Sequence, residues 1–183
     1  MRLNELAKYV VLAMMLMPGF AAAVSDDKDQ PIHIEADSLD IDDVHGVSIY
    51  RGNVQFLQGR RSLAADEVTI HSVEHARVEK VIAVGNPATF RQQPGLGEEE
   101  AHGVASRIEY YVQEERLYFQ DAAHLWQGEN EFAGSRIEYD AKAERVKASK
   151  GSDGKGRVQV ILQPRKEAKD IPPPNAPTPN TAP

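Results

Sequence analysis

Two phrases in this chain, SRIEYYVQEER from Ser106 and SRIEYDAKAER from Ser135, spell nearly the same words 29 positions apart. The same interval separates ADSLDI at 36 from ADEVTI at 65. A longer offset of 69 positions overlies the first. It sets ADSLD at 36 on ASRIE at 105, GNVQFLQG at 52 on DAAHLWQG at 121, and ADEVTI at 65 on GSRIEY at 134. A unit this short cannot bury its own apolar side, so its copies must stack or fold over one another. The chain therefore reads as a duplicated half, each half holding a smaller echo of itself.

The repeated phrase has the period of a strand. Ile108, Tyr110 and Val112 alternate with Arg107, Glu109 and Tyr111, and Leu117 and Phe119 resume the alternation after a turn. The second copy does the same with Ile137 and Tyr139, then Val146 and Ala148. PIHIE, SLDID, NVQFLQ, EVTIH, PATFRQ, AHLWQ and RVQVILQ repeat the pattern. Gly46, Gly52, Gly59, the Gly85-Asn86-Pro87 corner, Gly128 and the glycines at 151, 154 and 156 supply the turns between. SVEHARVEKVIAV also admits helical spacing, but its β-branched residues favour a strand after a turn near Ser72. A closed barrel or an immunoglobulin-like sandwich does not predict a tandem 29-residue unit, and parallel β-helix coils repeat more regularly. The expected fold is all-β: an elongated β-jelly-roll-like fold of many short antiparallel strands, with two facing sheets and internal duplication.

Both ends of the chain stand apart from that domain. Residues 1–23 have a basic start (Arg2, Lys8), an apolar run from Tyr9 to Met17 too short to span a bilayer, and Ala21-Ala22-Ala23 as a cleavage site. They read as a signal peptide, so the chain is expected to be exported, with a mature form beginning at Val24. Residues 24–168 form the β-domain, and 169–183, KDIPPPNAPTPNTAP, read as a disordered proline-rich tail. With no cysteine there is neither disulfide framework nor thiolate chemistry. The formal charge of −7 argues against a nucleic-acid partner, which would want a cationic face. The charged runs GEEE at 97 and KASKGSDGKGR at 147 read as solvated loops, and the carboxylates of QEER at 113 as lying in a turn or facing outward. His71 and His75 lack a helix or further ligands, so no metal or other cofactor is expected. No nucleophile triad or phosphate loop is present, and the expected role is not enzymatic.

Particular words then carry a resemblance: DQPIHIEADSLDID at 29–42, GNVQFLQG at 52–59, ADEVTI at 65–70, GNPATF at 85–90 and EAHGVASRIEY at 100–110. Together, and in this order over about 29–164, they resemble the organic-solvent-tolerance (OstA-like) family of lipopolysaccharide-transport proteins. The cleavable signal and the absence of a long barrel match its soluble bridging member best. The resemblance implies a periplasmic protein with an open, twisted β-jelly-roll, whose apolar groove between the sheets shields the lipid A moiety of lipopolysaccharide. It also implies head-to-tail stacking with further copies of the chain, and with the β-jelly-roll domains of the inner-membrane anchored and outer-membrane components. A β-domain that pairs with other β-domains purely as a structural assembly module is the alternative.

Matching positions to the family places Ile32, Ile34, Phe90, Tyr110 and Val112 on the groove. Alternation alone adds Phe56, Ile108, Phe119, Leu125 and Ile137, each equally at home as plain core. Tyr110 is expected to put its polar tip at the groove mouth.

Overall fold

The computed structural model describes residues 27–73, 77–151 and 157–164. The regions read as signal peptide and proline-rich tail lie outside these, as do His75 and the glycines at 154 and 156. After a short 3-10 turn, Asp27–Asp29, come β1 (Ile32–Glu35), β2 (Ser38–Asp42), β3 (Val47–Gln58), β4 (Arg61–Val73) and β5 (Arg77–Gln92). They are followed by β6 (Ala101–Tyr111), β7 (Arg116–Gln127), β8 (Asn130–Asp140), β9 (Arg145–Ser149) and β10 (Gln159–Ile161). All pair antiparallel in one ten-stranded sheet. Its spine runs β1-β3-β4-β5-β6-β7-β8-β10, with β2 also on β3 and β9 also on β8. The sheet is open and never closes on itself.

Two expectations need correction. There is one continuous sheet rather than two, and the central strands are long, β5 running for 16 residues. The reason is that several turn signals do not end strands but bend them. The register slips between Arg51 and Val54, Ala64 and Glu67, Val84 and Ala88, Val104 and Arg107, and Gln120 and Ala123. These irregularities form a line across the sheet, and bulges of this kind bend a strand and tighten its twist. Gly52 and the Gly85-Asn86-Pro87 corner belong to this line rather than to turns. Gly52, with φ of 82°, meets the chain ahead of β2 so closely that an added Cβ would collide with the Asp37 carboxylate. Gly46, Gly59 and Gly128 do sit in or beside hairpin turns.

Bending brings the two halves of the sheet face to face. Phe90 on β5 and Tyr139 on β8 have ring centroids 6.5 Å apart. Three strand spacings in a flat sheet would separate their backbones by about 14 Å. Phe90 also meets Phe119 edge to face at 5.9 Å. The core between the layers consists of cross-strand rows. Before the bend, Ile34, Phe56, Leu63, Phe90, Gly103, Leu125, Phe132 and Val160 lie side by side. After it, Leu39, Tyr50, Val68, Ala83, Ile108, Phe119, Ile137 and Ala148 do the same. A further row holds Ile41, Ser48, Ile70, Val81, Tyr110, Leu117, Tyr139 and Val146.

The duplication is structural as well as textual. Phe56 opposite Leu63 is matched, 69 positions on, by Leu125 opposite Phe132. Thus β7 repeats β3, β8 repeats β4, and β6 repeats β1 and β2 joined into one strand. At the far end β9 and β10 together repeat β5, for Ala148 faces Ile137 as Ala83 faces Val68, and Val160 faces Phe132 as Phe90 faces Leu63.

Gly103 leaves room for the facing layer, because a Cβ there would lie 2.6 Å from the Phe119 ring and 2.9 Å from the His124 carbonyl oxygen of the adjacent strand. Gly103→Ala should therefore lower the unfolding free energy by about 1–3 kcal/mol, the usual cost of overpacking, as read from urea denaturation.

Candidate functional site

The ten candidate residues share the inner face. Ile34, Phe56, Phe90 and Leu125 lie in the row before the bend. Ile108, Phe119 and Ile137 lie in the row after it, and Tyr110 in the next. Val112 continues the face just past β6, where its N–H donates to the Glu79 carbonyl at 3.0 Å. Ile32 stands nearest the rim, opposite the buried Gln58. Eight of the ten are at most 3 % exposed, while Ile32 and Ile34 are half-buried. An open gap along the whole inner face is thus corrected: over the middle of the sheet the two layers meet and their side chains fill the space. Facing apolar surfaces close because burial removes them from water.

The face is exposed where the sheet stops. Leu39 and Ile41 on β2 are 51 % and 54 % exposed, and Val160 on β10 is 47 % exposed, all with inward parity. Sequence reasoning did not place these residues, nor Phe132, on the groove, although for Leu39, Ile41 and Phe132 a signal existed. Leu39 and Ile41 are the 69-position matches of Ile108 and Tyr110, and Phe132 is that of Leu63.

One rim of the folded sheet is polar. Arg61 begins β4 and Tyr110 nearly ends β6, so they belong to opposite layers, yet the guanidinium donates to the Tyr110 hydroxyl at 2.8 Å and to the Glu115 carboxylate at 2.5 Å. Arg61 is 4 % exposed and Glu115 7 %. Burial works against the Arg61 charge, but the Tyr110 hydroxyl and the Glu115 carboxylate outweigh it and leave its pKa raised. Burial likewise raises the Tyr110 pKa and pushes that of Tyr139 up to about 12. The tip of Tyr110 therefore anchors a clip between layers rather than standing at a groove mouth. Glu115, in QEER, is a buried counterion rather than a solvated turn residue. The GEEE run is likewise engaged: Glu98 accepts from Arg60 at 2.6 Å, and Arg60 also holds Asp27 at 3.1 Å. The Arg60 hydrogen bond lowers the Glu98 pKa.

The outer face carries the alternate residues. Lys80 pairs with Glu109 at 2.7 Å, Tyr111 stacks edge-on against Tyr118, and Trp126 lies against His102 and His124. Among the described residues no group of three or more His, Cys, Asp or Glu could hold a metal ion, and no helix is long and apolar enough to cross a membrane. The arrangement offers a long apolar surface with polar closure at one rim.

Residues 33–145 match the family described as LptA/(LptD N-terminal domain) LPS transport protein. The chain belongs to this family. It is 32 % identical over 170 residues to the lipopolysaccharide export system protein LptH of Pseudomonas aeruginosa, covering 90 % of this chain and 97 % of that one. It is 34 % identical over 164 residues to the lipopolysaccharide export system protein LptA of Escherichia coli K12, covering 88 % and 87 %. The crystal structure of LptH, described as the LptA homologous periplasmic component of the lipopolysaccharide transport device of Pseudomonas aeruginosa, superposes with a TM-score of 0.71. It covers 76 % of this chain and all of that one. The family resemblance and the open all-β architecture read from the sequence are both borne out.

Replacing one member of the buried clip strands its partners. Arg61→Leu should cost about 3–5 kcal/mol of unfolding free energy, and the double variant Arg61→Leu/Glu115→Leu should recover most of that loss in a urea double-mutant cycle.

Proposed function

We propose that this LptA-family protein carries lipopolysaccharide through the periplasm by shielding its lipid A acyl chains against the inner face of the sheet. The observation that carries the reading is the apolar row that runs from one free edge to the other without a break in parity. It is joined by membership in a family whose relatives are named as lipopolysaccharide export proteins. Each acyl methylene kept from water is worth about 0.8 kcal/mol, so a chain of about ten methylenes needs on the order of 8 kcal/mol of shelter along its whole route. Only a continuous surface supplies that.

The acyl chains enter at the ends of the sheet, where Leu39, Ile41 and Val160 are exposed, and spread the layers by inserting between Phe90 and Phe119. Packing of ring on ring gives way to packing of ring on acyl chain, and since both are apolar the exchange is close to balanced. The groove residues on this reading are Ile32, Ile34, Phe56, Phe90, Ile108, Val112, Phe119, Leu125 and Ile137, with Tyr110 serving both lipid and clip. The protein acts by binding rather than by catalysis. The chain is exported with cleavage near Val24, and its partners are lipopolysaccharide, further copies of itself, and jelly-roll domains of the inner- and outer-membrane components. The family description, which includes the LptD N-terminal domain, supports the last of these.

A photoreactive amino acid tests the face directly. Placed at Ile34, Phe56 or Phe119 it should crosslink to lipopolysaccharide well above the level seen at Tyr111 or Trp126 on the outer face, in variants whose circular dichroism is unchanged. Equal labelling of both faces would reject the proposal. No labelling at either, with self-assembly retained, would favour the structural assembly module.

A further inference from the structure

The described residues bury five polar or charged side chains, Asp27, Gln58, Arg61, Gln92 and Glu115, and all five lie at one rim. There the free strand ends of the two layers face each other, across the fold from the line of the bend. We propose that this cluster is the headgroup site of the groove: as acyl chains part the layers, Arg61 leaves Glu115 for a phosphate of lipid A, and Lys28 takes over Glu115. This rests on the lipid-shielding function proposed above and adds where the polar end of the lipid is held and which side chains recognise it.

The position follows from the shape of an amphiphile. A lipid whose chains lie between the layers cannot put its head through the bend, where the backbone runs on and the strands remain paired on either side. Its head must emerge between the strand ends. There Arg61 reaches from one layer to Tyr110 and Glu115 on the other, at 2.8 Å and 2.5 Å, while its Nε donates to Gln92 at 3.4 Å. The closed clip bars the gap, so layers that spread must first release it.

Stability alone does not account for the clip, because a buried ion pair is often no better than apolar side chains of the same volume. What it supplies is a guanidinium, whose planar fork fits a phosphate as well as a carboxylate. The carboxylate that is freed has a place to go. Lys28 Nζ already stands 3.8 Å from the Glu115 oxygen that Arg61 does not hold. Gln58 gives a second sign. It sits opposite Arg61 across the β3–β4 hairpin, 2 % exposed, and donates its side-chain N–H to the Lys28 carbonyl at 2.9 Å. Its side-chain oxygen accepts no hydrogen bond among the described residues. A buried acceptor calls for a donor, and the hydroxyl and amide groups of a sugar headgroup are donors.

Lipid A with its phosphates and the same lipid A stripped of them, offered to the full mature protein in neutral detergent micelles, separate head from tail. The wild type should bind the phosphorylated form about tenfold more tightly, the worth of one charge-assisted hydrogen bond. Glu115→Gln, which removes the anion competing for Arg61, should widen that ratio. Arg61→Leu/Glu115→Leu, in which neither partner is left stranded, should bring it to about one. Inorganic phosphate should not compete, since Arg61 is buried until acyl chains part the layers. A ratio that neither variant moves would make the clip purely structural, and competition by inorganic phosphate would make it a free-anion site; either overturns the inference. Equal binding of the two lipids by the wild type would also overturn it while leaving the acyl shelter intact. Failure to bind either lipid would overturn the function on which it rests.

Discussion

Everything in this molecule depends on one constraint: a sheet that must stay open at both edges must still keep its apolar face from water. A barrel would hide that face by closing, and a sandwich would hide it with a second sheet. Here a single sheet is bent over along a line of register slips, so that the half of each long strand before the bend covers the half after it. The bend leaves both edges free, and it makes the same cross-strand rows serve as core in the middle of the molecule and as exposed apolar surface at its ends.

The polar elements follow from the bend. Folding a sheet on itself brings together strand ends that belong to different layers, and at one rim those ends are Arg61, Tyr110 and Glu115. A buried guanidinium is tolerable only when its hydrogen bonds are satisfied, and here the hydroxyl and the carboxylate satisfy two of them. The neighbouring 3-10 turn adds the buried Asp27 to the same rim, and the β3–β4 turn and the 93–100 loop add the more exposed Arg60 and Glu98. The opposite parity of each strand faces outward and carries ion pairs and aromatic stacks such as Lys80 with Glu109 and Tyr111 with Tyr118.

What could be read in the sequence was whatever depends on period and repetition. Alternation in SRIEYYV was enough to place Ile108 and Tyr110 on one face and Glu109 and Tyr111 on the other, and the 69-position echo foretold that β7 and β8 repeat β3 and β4. What could not be read was what depends on three-dimensional return of the chain. Gly52 and Gly85-Asn86-Pro87 look like turns because a glycine or a proline corner gives the same local signal whether a strand ends or only bends. Glu115 in QEER looks solvated because a charge is assigned to water unless its partner is known, and here the partner, Arg61, is 54 residues away. The closeness of the layers was hidden for the same reason, since nothing in the alternation of Phe90 or Phe119 says how near the facing row will stand.

The central claim is that the inner face takes up acyl chains by spreading the two layers. Spin labels at Arg91 and Lys142, exposed positions on opposite layers near the polar rim, would report their separation by pulsed electron resonance, with the cysteine-free chain allowing clean attachment. The account predicts that saturating lipopolysaccharide lengthens the distance between them, and that its polysaccharide part stripped of lipid A leaves it unchanged. A distance that stays the same while lipopolysaccharide is bound would contradict it.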